Sequence, residues 1–119
     1  MAFNLIGAEE PLVIREGTDV SIDIALEDEN EPMDLTGYTA EMRFGAGLDT
    51  PAELTLTVGN GLAINEPEGI ITFTLTNAQT AAFSFEQGRY DLEIIDSGGL
   101  IDPVIYGKFT IVQKVPDGS

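Results

Sequence analysis

The 119-residue chain contains no cysteine, no histidine and no tryptophan. Without cysteine it cannot form disulfides, thiolate nucleophiles or cysteine metal sites. Without histidine it lacks the side chain whose unperturbed pKa lies nearest neutrality, and with it the usual general base and the commonest ligand of transition metals. Most hydrolase triads therefore cannot be assembled, and we expect neither an enzyme nor a cofactor nor a metal site.

Positive charge is scarce as well. Five lysine and arginine residues stand against 21 aspartate and glutamate residues, and the formal net charge is -16. A surface this acidic repels the phosphates of nucleic acids and the head groups of anionic lipids, so we expect no direct binding to nucleic acid or membrane. It is compatible with a basic protein partner, and its simplest effect is to keep the protein soluble.

Long apolar runs are also missing. Residues 1–10 lack the positively charged start and the apolar core of a secretory signal peptide. No segment approaches the roughly 18 apolar residues that a transmembrane helix needs. The sequence therefore predicts a protein that is made in the cytoplasm and stays soluble.

The chain does contain apolar residues that alternate with polar ones, which is the pattern of half-buried strands. Val20, Ile22, Ile24 and Leu26 form one such set. We predict seven strands, around residues 12–15, 20–26, 38–44, 54–58, 71–75, 90–94 and 104–112. Short strands separated by frequent turn residues are typical of an antiparallel sandwich, and an apolar content of 43% is enough for a single core.

Two local patterns refine this all-β prediction. Thr76 and Gln79 have the spacing of a capping box, which predicts one short helical turn over residues 77–82, between the penultimate strands. Gly107 interrupts the last strand, where a bulge or a close approach of another backbone segment is expected.

The segment from Glu86 to Leu92 resembles the tyrosine corner of immunoglobulin domains. The resemblance implies that Tyr90 buries its ring and returns its hydroxyl to the backbone of the preceding connection. The sequence therefore predicts an immunoglobulin-like antiparallel β-sandwich of about seven strands. Leu92 stands where antibody domains have their second core cysteine, and their core tryptophan is missing, so we expect a related sandwich and not an antibody-type domain.

A wider resemblance covers most of the chain from Asp34 onward. Its motifs are D-L-T-G at 34–37, G-I-I-T-F-T-L-T at 69–76, Y-D-L-E at 90–93 and Y-G-K-F-T-I at 106–111. They are similar to the N-terminal immunoglobulin-like domain of phage baseplate upper proteins and to small stand-alone virion proteins of tailed bacteriophages. The resemblance implies a non-enzymatic structural protein of the virion, whose partners are other phage structural proteins.

Three functional hypotheses stay open at this point. The protein can be a tail, baseplate or fibre-adaptor component, or a capsid cement or decoration protein. The third hypothesis is a cell-surface or glycan adhesion module, which needs an aromatic platform for which only Tyr38, Tyr90 and Tyr106 are available. In a symmetric particle, repeated copies, including a homo-oligomer of this chain, would strengthen individually modest contacts.

The predicted organisation is an N-terminal arm over residues 1–11, a sandwich over 12–115 and a polar tail over 116–119. The arm carries the candidate protein-interaction residues Phe3, Leu5 and Ile6. Such an arm can add a strand to the sheet of a neighbouring subunit, or equally close the protein's own sheet. Ile95 and Leu100 border a predicted Gly98-Gly99 hairpin and are the other candidate interaction residues.

Carboxylates suggest two further sites. Glu27, Asp28, Glu29, Glu31 and Asp34 crowd one segment, and hard oxygen ligands at this density could hold calcium, although the spacing does not match a calcium loop and a solvated loop is the default interpretation. Asp91 and Glu93 share one strand face at roughly 7 Å, a separation also found in glycosidases, but such pairs are commoner as plain surface.

Overall fold

The computed structural model describes residues 8–28, 31–47 and 49–113, which form eleven strands and one helix. In chain order the elements are β1 (Ala8–Glu9), β2 (Leu12–Arg15), β3 (Val20–Ala25), β4 (Glu27–Asp28), β5 (Glu31–Pro32), β6 (Thr39–Gly45), β7 (Leu54–Val58), β8 (Gly61–Asn65), β9 (Ile70–Leu75), α1 (Asn77–Ala82), β10 (Gln87–Ile95) and β11 (Ile101–Val112). Strands β4 and β5 form a separate hairpin, and the other nine strands are hydrogen-bonded into one sheet.

This sheet folds over into two layers. In the first layer the order is β11-β10-β6-β7, and both β1 and β2 pair in parallel with β11; in the second the order is β8-β9-β3. The chain crosses between the layers at the turn from β7 to β8, where Thr57 pairs with Gly61 and Val58 with Leu62. The first layer has the order of strands G, F, C and C′ of an immunoglobulin domain, and the second that of D, E and B. The predicted all-β, immunoglobulin-like fold is confirmed.

The core lies between the layers because alternate residues of each strand point inward. Phe73 and Leu75 of β9 are fully buried in one cluster with Phe44 of β6, Leu92 of β10 and Phe109 of β11. Burying each such side chain contributes roughly 1.5–3 kcal/mol relative to leaving it exposed. The buried residues therefore follow the period-two alternation from which these strands are predicted.

Helix α1 begins with the predicted capping box. The side-chain hydroxyl of Thr76 accepts a hydrogen bond from the backbone N–H of Gln79 at 3.2 Å, and the Gln79 side chain accepts one from the Thr76 N–H at 2.9 Å. The hydroxyl of the buried Thr80 donates to the backbone oxygen of Thr18 at 2.9 Å, which fixes the helix against the turn between β2 and β3. With six residues, this helix is far too short to cross a bilayer, and the described chain contains no other.

Aromatic rings close one end of the core beside α1. The ring of Phe83 lies 5.7 Å from that of Phe44 and 5.2 Å from that of Phe109, and Phe85 lies 6.0 Å from Phe109. These centroid distances are within the range in which aromatic pairs attract each other.

The long strand β11 is irregular in two places. Its register against β10 shifts between Leu92 and Glu93, so that Val104 is the extra residue of a β-bulge. At Gly107, three residues further on, the backbone of Glu10 approaches so closely that a Cβ atom would lie 2.9 Å from its carbonyl oxygen. Of the two expectations for Gly107, the close approach is thus correct, and the bulge lies elsewhere.

Several short strands are not apparent from the sequence pattern. β8 begins at Gly61, where the sequence pattern predicts no strand, and a Cβ atom at Gly61 would lie 2.6 Å from the Leu56 side chain. Val58 ends the predicted strand over 54–58 and is 45% exposed at the crossover between layers. Ala8 and Glu9, in the predicted arm, form β1 and close the protein's own sheet.

The remaining predictions on the termini concern residues outside the described ranges. The interaction residues Phe3, Leu5 and Ile6 lie outside the described residues, as does the predicted polar tail over 116–119.

Candidate interaction surface

The turn between β10 and β11 is held in shape by Asp96. One carboxylate oxygen of Asp96 accepts hydrogen bonds from the backbone N–H groups of Gly98 at 2.8 Å and Leu100 at 2.9 Å. The backbone N–H of Asp96 donates to the Leu100 carbonyl at 3.0 Å, and that of Gly99 donates to the Asp96 carbonyl at 3.0 Å. Gly99 has a φ of 88°, which only glycine adopts without strain. These four hydrogen bonds define one shape for the turn.

The turn and the strand ends beside it present three apolar side chains, Ile95 at the end of β10, Leu100 in the turn and Ile101 at the start of β11, which we call the hairpin tip. Leu100 is 70% exposed and Ile101 is 58% exposed. Ile95 is half-buried and lies directly across the strand pair from Ile101, so the two side chains share a face. The structure thus pairs the predicted residue Ile95 with Ile101, which the sequence pattern does not single out, and places the predicted residue Leu100 next to Ile101 in the turn.

A second turn lies beside the hairpin tip. Gly37, with a φ of 82°, packs near Ser97 of the first turn. The carboxylate of Asp34 accepts hydrogen bonds from the backbone N–H of Thr36 at 3.0 Å and from its hydroxyl at 2.6 Å. These bonds, chiefly that from the hydroxyl, hold the pKa of Asp34 below its usual value. The Asp34 oxygen that the calcium hypothesis invokes is thus already used to shape this turn.

The outer face of the first layer carries an ion cluster around Arg43. Its Nε lies 3.0 Å from Asp91, and its two terminal nitrogens lie 2.6 Å from Glu93 and 3.4 Å from Glu41. The hydrogen bond to Asp91 is the largest cause that raises the pKa of Arg43. Asp91 and Glu93, the pair considered for glycosidase chemistry, both bind this one guanidinium.

Tyr90 occupies the inner face of β10, as predicted, and is 4% exposed. Its hydroxyl donates to the backbone oxygen of Glu10 at 2.5 Å. The expected partner was the connection that precedes β10, so this part of the tyrosine-corner prediction is wrong. The reason is the path of the N-terminal segment: the Glu10 N–H donates to the Tyr106 carbonyl at 2.9 Å, which places the Glu10 carbonyl beside the ring of Tyr90.

Comparison with known proteins identifies a shared fold and no family. No protein-family model matches the chain, and no curated protein sequence matches it. Among solved structures, the N-terminal domain of phage TP901-1 ORF48 matches with a TM-score of 0.58 and 8% identity, over 94% of this chain and 99% of that one.

Two structures with immunoglobulin-like domains match with lower scores. The extracellular domain of the voltage-gated sodium channel beta4 subunit has a TM-score of 0.48 at 10% identity, over 92% of this chain and 96% of that one. The ZIG-8 and RIG-5 IG1 heterodimer structure gives 0.42 at 14% identity, over 90% and 85%.

Sequence reasoning missed the arrangement of charge on the first layer. Arg43 and Asp91 are 48 residues apart in the chain and meet because β6 and β10 pair in a particular register. The alternation of charged and apolar residues on β10 does show that Arg89, Asp91 and Glu93 share a face. It does not show which residues of other strands lie beside them.

Proposed function

We propose that this protein is a non-enzymatic structural protein of a bacteriophage virion, made in the host cytoplasm and assembled onto other virion proteins. The observation that supports the proposal is the match to the N-terminal domain of phage TP901-1 ORF48, which is nearly co-extensive with this chain. The proposed location is the tail or baseplate, or an adaptor for a fibre, in line with the motifs that resemble baseplate upper proteins.

The proposed contact with the virion is the hairpin tip. Exposed Leu100 and Ile101 would remove apolar surface from water on contact with a partner, and the hydrogen bonds of Asp96 hold the turn that carries them in place. A preorganised turn loses little conformational entropy on binding, so more of the contact energy appears as affinity. Many copies in a symmetric particle would then add up to a firm attachment.

Cryo-electron microscopy of purified phage particles that carry this protein tests the proposal. We expect density for the sandwich at the tail or baseplate, with the hairpin tip in contact with a neighbouring chain. Density on the capsid lattice would show instead that the protein decorates the capsid and is not a tail component. Absence of the protein from purified particles, shown by mass spectrometry of the same sample, would overturn the virion assignment.

A further inference from the structure

The positive charges of the described chain are concentrated on one face. Arg43 lies opposite Asp91, and Arg89 lies opposite Lys108, so these four side chains project from the same side of the first layer. Arg15 of β2 pairs with Val112 of β11 and is exposed on that side as well. On a chain with a net charge of -16, all the cations of the described residues thus lie on the outer face of one sheet.

These cations differ in how they are neutralised. Arg43 is surrounded by three carboxylates. Arg89 has one distant pairing, with its terminal nitrogen 3.9 Å from the Glu9 carboxylate, and Lys108 has no ion pair within the described part of the chain. Like charges directly opposite each other on paired strands destabilise the sheet. The Arg89–Lys108 pair is therefore a local excess of positive charge.

Arg89 also has an unused donor. Its Nε is buried and has no hydrogen-bond partner among the described residues. Leaving a buried donor unpaired costs roughly 1–3 kcal/mol, and more when the group is charged. Such a group in a native structure needs an explanation, and a bound partner is one that also accounts for the neighbouring groove.

A groove opens beside this guanidinium. It has a volume of about 440 Å³ and runs over the outer face between β11 and the loop that follows β6. Gly45, directly opposite Arg89 on β6, contributes no side chain and so leaves space there. Tyr106, Pro103 and Ala52 add apolar wall, and Tyr106 is 40% exposed. Asp91 and Glu93 also line the groove, and both are engaged by Arg43. We call this feature the Arg89 groove.

We propose that the Arg89 groove binds a segment of a partner protein that presents one carboxylate to Arg89 and Lys108. Charge complementarity selects an anion, because Arg89 has only the 3.9 Å pairing with Glu9, and Lys108, which lies directly opposite Arg89 beside the groove lining, has no ion pair among the described residues. The net charge of -16 repels polyanions such as nucleic acids. A single carboxylate bound at Arg89 is attracted mainly by the cations within about 8 Å of it, because salt screens charges that lie further away. The apolar wall suits the backbone and aliphatic part of a peptide. The inference does not depend on the virion assignment, because the groove and the hairpin tip are different surfaces.

The test uses short capped peptides and the intact chain labelled with nitrogen-15. One peptide carries a single glutamate among glycine and serine, and its matched control carries glutamine in that position. We expect the glutamate peptide to shift the Arg89 side-chain Nε–H resonance saturably in the millimolar range, and the glutamine peptide to leave it unchanged.

Variants then locate the site. R89Q and K108Q should each weaken binding about tenfold, the loss expected for one charge-assisted hydrogen bond. R15Q, on the same face but paired with Val112 and not with Arg89, should bind within about twofold of the original chain, and thus controls for net charge. E9Q should bind more tightly, because it removes the carboxylate that competes for Arg89. Unfolding midpoints should show that all four variants are folded.

Three results would overturn the inference. The first is a glutamine peptide that binds as well as the glutamate peptide, and the second is a loss in R15Q as large as that in R89Q. The third is an equal response to free acetate at the same concentration, because the peptide segment would then contribute nothing. None of these results bears on whether the protein is found in virions.

Discussion

The hydroxyl of Tyr90 lies 2.5 Å from the backbone carbonyl oxygen of Glu10 and donates a hydrogen bond to it. The two residues are 80 positions apart, and the bond ties the centre of β10 to the segment between β1 and β2. Gly107, directly opposite Tyr90 on β11, lets Glu10 come this close. Two strands and the N-terminal segment are thus joined at one point.

Replacing Tyr90 by phenylalanine removes only the hydroxyl. We expect Y90F to lower the free energy of unfolding by about 1 kcal/mol, the usual net contribution of one hydrogen bond, with the ring still packed. Urea denaturation followed by circular dichroism measures this loss. The control is Y106F, whose ring is on the exposed face and which should change stability by less than about 0.5 kcal/mol. Equal effects of both variants would contradict the role given to the Tyr90 bond.

The same residue predicts a loss of stability in alkali. Burial is the main cause that raises the pKa of Tyr90 well above its ordinary value of 10.0, and the charge of Glu10 adds to it. The folded state therefore favours the neutral phenol, and this contribution is complete below the unfolded pKa and is lost as pH rises above about 10. The urea midpoint should fall between about pH 9 and about pH 11 more steeply for the original chain than for Y90F. Parallel curves would contradict the prediction.

Gly107 is expected to tolerate no side chain. A Cβ atom there would lie 2.9 Å from the Glu10 carbonyl oxygen, and backbone cannot move aside as a flexible side chain can. We expect G107A to destabilise the protein by about 1–3 kcal/mol, as overpacking does elsewhere. The matched control is G47A, because among the described residues, chain neighbours aside, no atom lies within 4 Å of the Cβ position at Gly47. A G107A variant as stable as G47A would show that the N-terminal segment is not held against β11.

Features of the fold and of the candidate sites can be predicted from the sequence when the interacting residues are close together in the chain. Thr76 and Gln79 are three residues apart, so their capping box is visible in the sequence and is confirmed. The inward set of β9 follows from period two alone. The partner of Tyr90 and the opposition of Arg89 and Lys108 depend on strand register, which alternation does not encode. The Val104 bulge shifts that register by one residue, and nothing in the local pattern announces it.

Glu53 offers a test of the link between the 45–53 loop and the end of α1. Its carboxylate accepts a hydrogen bond from the Ser84 N–H at 3.0 Å and another from the Ser84 hydroxyl, and the hydroxyl bond is the main cause that holds the pKa of Glu53 below 4.5. A lowered pKa means that this contribution to stability is present above the unfolded pKa and is lost as pH falls. Carbon-detected NMR titration should show the pKa of Glu53 rise toward its ordinary value in S84A. No change between the two proteins would refute the hydrogen bond.

A substitution at Leu100 can distinguish a role in binding a partner from a role in the stability of the fold. Since its side chain is 70% exposed and the turn is held by the Asp96 carboxylate, L100D should leave the free energy of unfolding within about 0.5 kcal/mol of the original. A charge in an apolar interface, by contrast, is costly to desolvate, so we expect L100D to reduce incorporation into phage particles at least about tenfold. Immunoblots of purified particles from a deletion phage complemented with each variant measure this. V13D is the matched control, because Val13 is a 64% exposed valine on β2, where it pairs with Thr110 at the end of β11 away from the hairpin tip, and it should incorporate normally. If L100D enters particles as well as V13D does, the hairpin tip is not the attachment surface, and the virion contact lies elsewhere on the sandwich.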